Sequence, residues 1–185
     1  MMDLINKFRI YSILLVISTA VWIAWSAVNH PPVNMNRTIF PKEGLLAPDF
    51  ALKNEEGIIY QLNDFNDRPV MLIFWASWCP HCKVELPVLQ RVYDEYQDKG
   101  VAVLAVNTTQ QDDLDSARQF VKGNGLTYPV LYDIDGSISK LYLVRALPTT
   151  YFINTDGVIN RLIIGGPISE ALLRTQLINL LDGGG

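Results

Sequence analysis

Apolar residues fall into distinct rhythms along this chain. From Ile10 to Val28 they form a 19-residue run broken only by Ser12, Ser18, Thr19 and Ser26. Val70–Trp75 (VMLIFW) and Val101–Val106 (VAVLAV) are short and wholly apolar, the pattern of strands buried on both faces. Between them Val84, Val88, Leu89, Val92 and Tyr96 recur at helical spacing and predict a helix from Cys79 to about Gln97. A second helix, Asp112–Lys122, sets Leu114, Ala117 and Val121 on one face and ends at Gly123 or Gly125. Ile58–Tyr60 reads as a short strand after the Glu56-Gly57 turn, with Asn63 capping a single turn through Phe65. Tyr128–Tyr132 is extended and Ile138–Val144 a short helix. Thr149–Asn154 and Val158–Ile164 are strands joined at Asp156-Gly157, a tight-hairpin signal. Ile168–Leu181 closes the chain as a helix. This order argues one α/β domain, a parallel core with an antiparallel edge and helices on both faces. No repeat and no second domain is visible.

The N-terminal run stands apart. Residues 10–36 contain no Asp, Glu, Lys or Arg. As a helix, Ile10–Val28 would span about 28 Å, close to a bilayer core. Lys7 and Arg9 precede it against one acid, Asp3, a bias that keeps the N-terminus cytoplasmic and sends the rest outside. Trp22 and Trp25 sit near the outer end, where indole favours the interface. Ala24-Trp25-Ser26 leaves a cleaved signal peptide open as a second reading, although the run exceeds the usual apolar region of about 7–15 residues. A buried helix is the third. The anchored reading divides the chain into a cytoplasmic stretch (1–9), a transmembrane signal anchor (10–28) and a spacer (29–43). A folded domain (44–182) and a frayed tail (183–185) follow. The domain then lies outside the cytoplasmic membrane, held by one span.

Composition narrows the function. With 49% hydrophobic and 18% charged residues, the chain can bury a core without staples. Residues 38–185 carry 12 Lys plus Arg against 18 Asp plus Glu, a net charge of −6. That leaves no electrostatic footprint for nucleic acid and no basic patch for anionic lipid. Two cysteines exclude a disulfide-dense scaffold and a four-cysteine zinc site.

Both cysteines lie in Cys79-Pro80-His81-Cys82, three residues after the first buried strand and at the start of a helix. Pro80 falls at or near the first helical position, where a missing N–H costs nothing. A thiolate at a helix N-terminus meets unpaired N–H groups and the positive end of the dipole. Cys79 is therefore the expected attacking sulfur, with a lowered pKa. Cys82, one turn deeper, is placed to resolve a mixed disulfide. An imidazole at position 81 would stabilise the thiolate further and make the pair more oxidising. Two other readings stand beside this one. A zinc site would have to recruit His81 and His30, and a purely structural bridge would close a very short loop of little entropic value.

Phe74-Trp75-Ala76-Ser77-Trp78-Cys79-Pro80-His81-Cys82 resembles the active-site strand and motif of the thioredoxin fold. Ala47-Pro48-Asp49-Phe50, Glu85-Leu86-Pro87 and Leu147-Pro148-Thr149-Thr150-Tyr151-Phe152-Ile153 narrow the resemblance to the TlpA/ResA type, over about Gly44 to Leu181. Those proteins are membrane-tethered extracytoplasmic thiol-disulfide oxidoreductases of bacteria. The resemblance implies a thioredoxin-like fold, a central mixed β-sheet flanked by helices. It implies catalytic Cys79 and Cys82, and a carboxylate at Glu85 that helps move the proton of the buried cysteine. A cis bond is implied before Pro148. Leu147, Pro148 and Thr149 would then line the site with Trp78, Pro80 and His81, and Thr149 would partly face it. Trp78 is read as a rim for partner contact, Trp75 as core, and Pro87 as a kink inside a continuing helix. Glu85 as an ordinary solvated helix residue remains the plainer alternative.

The chain is expected to work as a monomer with no cofactor beyond the cysteine pair. Its partners would be client protein thiols or disulfides, apocytochrome c among the candidates, and an upstream membrane reductant. One feature departs from the type. Members devoted to apocytochrome c commonly carry Glu-Pro or another pair between the cysteines, whereas Pro80-His81 is the dipeptide of the oxidising periplasmic enzyme DsbA. Only 65 residues separate Cys82 from Leu147, too few for that enzyme's helical insertion. Lys83 follows Cys82, so no CxxCH haem-attachment motif is formed. A dithiol oxidase, a peroxiredoxin-like peroxidase and a tethered binding module are the competing functions.

Overall fold

The computed structural model describes residues 15–22, 25 and 38–182. Among the described residues seven strands are formed: β1 (Ala51–Lys53), β2 (Ile59–Gln61), β3 (Val70–Trp75), β4 (Ala102–Asn107), β5 (Val130–Tyr132), β6 (Thr149–Ile153) and β7 (Ile159–Ile164). From Thr38 onward four α-helices accompany them: α1 (Pro80–Tyr96), α2 (Leu114–Gly123), α3 (Ser137–Leu141) and α4 (Glu170–Leu181). The main sheet has the order β5-β4-β3-β6-β7. β3 runs parallel to β4, and β4 to β5, while β3–β6 and β6–β7 are antiparallel. β1 and β2 form a separate antiparallel pair.

The first apolar run is β3 and the second, from Ala102 on and with Asn107 added, is β4; every residue of both strands is buried. Alternation along β3 sends Met71, Ile73 and Trp75 to one face and Val70, Leu72 and Phe74 to the other. The first face packs on Leu86, Leu89 and Val92 of α1, Ala117 of α2, and Leu173, Leu177 and Leu180 of α4. The second packs on Phe50, Leu62, Tyr142 and Tyr151. A fully buried strand needs cover on both sides: the crossover helices α1 and α2, with α4, cover the first face, and Phe50, Leu62 and Tyr142, from outside the crossovers, cover the second.

Several expected details shift. Val84 is 55% exposed, because the buried face of α1 runs through Cys82, Glu85, Leu86, Leu89, Val92 and Tyr96. The turn at Leu62–Phe65 is capped at Gln61, whose N–H is accepted by Asp64, and not at Asn63. Asn63 instead donates its backbone N–H and side-chain amide to Asp49. The second helix begins at Leu114 with Asp113 as its cap, because Thr109–Gln111 forms a 3-10 turn first. The last helix begins at Glu170 with Ser169 as cap. The Asp156-Gly157 signal is a hairpin turn closed by Asn154 N–H to the Val158 carbonyl, with Gly157 at φ +79°.

Residues 15–22 and 25 are helical, with Leu15, Val16, Ile17, Val21 and Trp22 exposed. No helix among the described residues is long and apolar enough to cross a membrane. The 1–9 stretch, most of the 10–28 span, residues 29–37 of the spacer and the 183–185 tail lie outside the described residues.

Candidate active site

β3 ends at Trp75, and Ala76-Ser77-Trp78 turns the chain into α1. Cys79 is the N-cap of that helix, with φ −73° and ψ 118°, and Pro80 opens its first turn. This is the arrangement that a proline at the first helical position favours. Cys79 and Cys82 are joined as a disulfide with their Cα atoms 5.3 Å apart. Cys79 Sγ also accepts the Cys82 N–H at 3.2 Å. That contact aims one unpaired helix donor at the sulfur, which lowers the cost of a thiolate there. Cys79 is 3% exposed and Cys82 not at all. Pro80 and His81 point outward.

The turn before Cys79 is braced by the β4–α2 connection. Asp112 accepts the Ser77 N–H and the Ser77 hydroxyl, each at 2.6 Å, and the Asn107 amide at 2.8 Å. The Trp78 indole N–H donates to the Gln111 carbonyl at 2.8 Å while the ring stays 53% exposed. Trp75 lies wholly in the core. Nothing in the sequence pointed to Asp112, because the contact joins loops 35 residues apart.

Across the disulfide, the Leu147–Pro148 peptide bond is cis. The Leu147 carbonyl oxygen lies 3.6 Å from Cys79 Sγ, and Pro148 is buried. The Thr149 hydroxyl does not turn to the site; it donates to the Ala146 carbonyl at 2.7 Å. Thr150 takes the place expected of Thr149, because alternation on β6 puts it on the face shared with α1. Its hydroxyl lies 3.5 Å from Glu85 Oε1.

Glu85 is wholly buried, which rules out the solvated-surface reading. It sits one turn beyond Cys82 on the buried face of α1. Its Oε2 accepts the Ile168 N–H at 2.8 Å. Burial pushes its carboxyl up to about 7 from an ordinary 4.5, against the smaller opposing pull of the Ile168 and Thr150 hydrogen bonds. Tyr128 is buried nearby, its hydroxyl donating to the Leu86 carbonyl at 3.3 Å. Burial first, and the Glu85 charge second, push its phenol upward. α1 continues through Pro87. A second cis bond, Gly166–Pro167, lies in the loop that covers Glu85 and had no counterpart in the sequence reading. Among the described residues, no group of three His, Cys, Asp or Glu side chains could hold a metal ion.

This arrangement can exchange disulfides: a nearly covered sulfur at a helix N-terminus, a buried second sulfur, and a carboxyl pushed up to about 7 by burial. Comparison with known proteins agrees with that chemistry. Residues 44–162 match the AhpC/TSA family. The thiol-disulfide oxidoreductase ResA of Oceanobacillus iheyensis is 40% identical over 66% of this chain and 65% of its own length. ResA of Bacillus subtilis is 32% identical over 77% of each chain. The crystal structure of StoA from Bacillus subtilis superposes with a TM-score of 0.62 at 32% identity, over 70% of this chain and 96% of that one. The chain therefore belongs to the thioredoxin-like AhpC/TSA family and is, within it, a thiol-disulfide oxidoreductase of the ResA type.

Proposed function

We propose that this protein reduces disulfides in client proteins outside the cytoplasmic membrane, tethered by residues 10–28. The Cys79 thiolate attacks a client disulfide, forming a mixed disulfide and releasing one client thiolate. Cys82 then attacks Cys79 Sγ, releases the second client thiolate and leaves the Cys79–Cys82 disulfide. Two electrons pass to the client, and an upstream membrane dithiol restores them. Glu85 accepts the Cys82 proton as that thiol becomes a nucleophile. Trp78, Pro80, His81, Leu147 and Pro148 surround the pair and meet the client. Thr149 contributes backbone there, its hydroxyl being committed to Ala146. The domain acts as a monomer, and apocytochrome c awaiting haem fits the client class.

The burial of Cys82 beside a buried carboxyl carries this reading. A sulfur without access to water needs an internal proton acceptor, and Glu85 is the one within a helical turn. Exposed Pro80-His81 favours the opposite direction, a dithiol oxidase. Equilibrating the purified chain in glutathione or dithiothreitol buffers separates the two. A reduction potential near about −270 mV supports the reductant, and one near about −120 mV overturns it.

A further inference from the structure

The loop between β7 and α4 closes over Glu85 and Pro148, and Gly166 lies against both. A Cβ at Gly166 would stand 2.6 Å from Glu85 Oε2 and 2.8 Å from Pro148 Cγ. Neither neighbour gives way cheaply. Pro148 is a buried ring at the entry to β6, tied to the same loop where its carbonyl accepts the Gly165 N–H at 2.8 Å. Glu85 Oε2 is held at 2.8 Å by the Ile168 N–H, two residues along. A side chain at position 166 therefore lifts the loop, and the Ile168 N–H leaves with it.

We infer that Gly166 is a positioning residue of the redox site: its bare Cα lets the 165–168 loop press on Glu85 and Pro148 together, which keeps the carboxyl dry and locked to the Ile168 N–H. The inference rests on the reading of Glu85 as proton acceptor for Cys82. The groups around Glu85 are few. α1 brings Cys82, the segment before β5 brings the Tyr128 phenol, β6 brings the Thr150 hydroxyl, and the loop brings only a backbone N–H. None is a cation, so exclusion of water by the loop is the main control on the carboxyl.

The test follows the Glu85 side-chain carboxyl by 13C NMR across pH 4–9 in the full-length oxidised chain, where the cysteines do not titrate. Glu85→Gln assigns the signal. Wild type is expected to titrate near 7, and Gly166→Ala at least one pH unit lower, a tenfold change in protonation ratio at fixed pH. The Ile168 amide 15N shift of the wild type should follow the same midpoint, a readout that survives if Gly166→Ala does not fold. A wild-type midpoint at an ordinary carboxylate value overturns the proton-acceptor reading, and the inference with it. A wild-type midpoint near 7 that Gly166→Ala leaves in place overturns the inference alone. So does an Ile168 amide blind to the titration.

Discussion

Replacing Glu85 by Gln should make the oxidised protein more stable at alkaline pH, and the size of the gain can be worked out from the site. The carboxyl has no exposed surface and titrates near 7 in the fold, against 4.5 for an ordinary glutamate. Between those values the folded chain binds the proton and the unfolded chain does not. Stability therefore falls as pH rises through the window. Below 4.5 both states are protonated and nothing is lost; above 7 the loss is complete, at about 3 kcal/mol. Glutamine keeps an acceptor for the Ile168 N–H and a partner for the Thr150 hydroxyl, and it never charges. Thermal unfolding of both oxidised chains between pH 4 and 9 measures the difference. All other groups titrate alike in the two chains, so the difference curve reports Glu85. The Tm values should coincide near pH 4 and diverge above 7 by roughly 6–12 °C, with the variant higher. Parallel curves across the window would refute the dry carboxyl and the proton chemistry built on it.

Three further outcomes follow from contacts already described. Asp112→Ala removes the acceptor for two Ser77 donors and the Asn107 amide, and should cost about 2–4 kcal/mol in urea unfolding as well as slow disulfide exchange. Leu86→Ala empties a fully buried position between α1 and the sheet, and should cost about 2–5 kcal/mol in the same assay. Tyr142→Phe strands the buried Pro48 carbonyl and should cost about 1–2 kcal/mol while leaving the reduction potential unchanged.

The fold was legible wherever local pattern and burial agree. VMLIFW could only be a strand covered on both faces, and it is β3 at its expected bounds. Cys79 could be placed at a helix start because Pro80 is tolerated there and Pro87 lies too far inside to begin a helix. Periodicity failed at Val84, since a valine fits an apolar stripe by type even where the helix turns it to solvent. The expectation that Thr149 faces the site was wrong: strand parity puts Thr150, not Thr149, on the face of Phe152 and α1. The fate of Glu85 was not decidable locally. A glutamate one turn from a cysteine reads the same exposed or buried until the β7–α4 loop is known to cover it. Asp112, Gly166 and Ile168 were invisible for the same reason: each acts through a loop contact across 35 to 83 residues.

If Cys79 meets the client and Glu85 takes the proton of Cys82, as proposed, the two roles should separate in kinetics. Cys79 lies under a solvent-facing rim, where Trp78 is pinned to Gln111 and Ser77 to Asp112. Cys82 is wholly buried, one helical turn from Glu85, which Thr150 and the 165–168 loop enclose. On the proposed reading a client meets Cys79 at the rim, and the proton of Cys82 passes to Glu85 on the enclosed side. Trp78→Ala should therefore raise KM for a protein disulfide while the pH profile of exchange keeps its inflection near 7. Glu85→Gln should remove that inflection and leave KM unchanged. If Trp78→Ala moved the inflection, or Glu85→Gln raised KM as much as Trp78→Ala does, the two sides would not be independent. Client binding and proton transfer would then share one set of residues, and the division between rim and interior would be wrong.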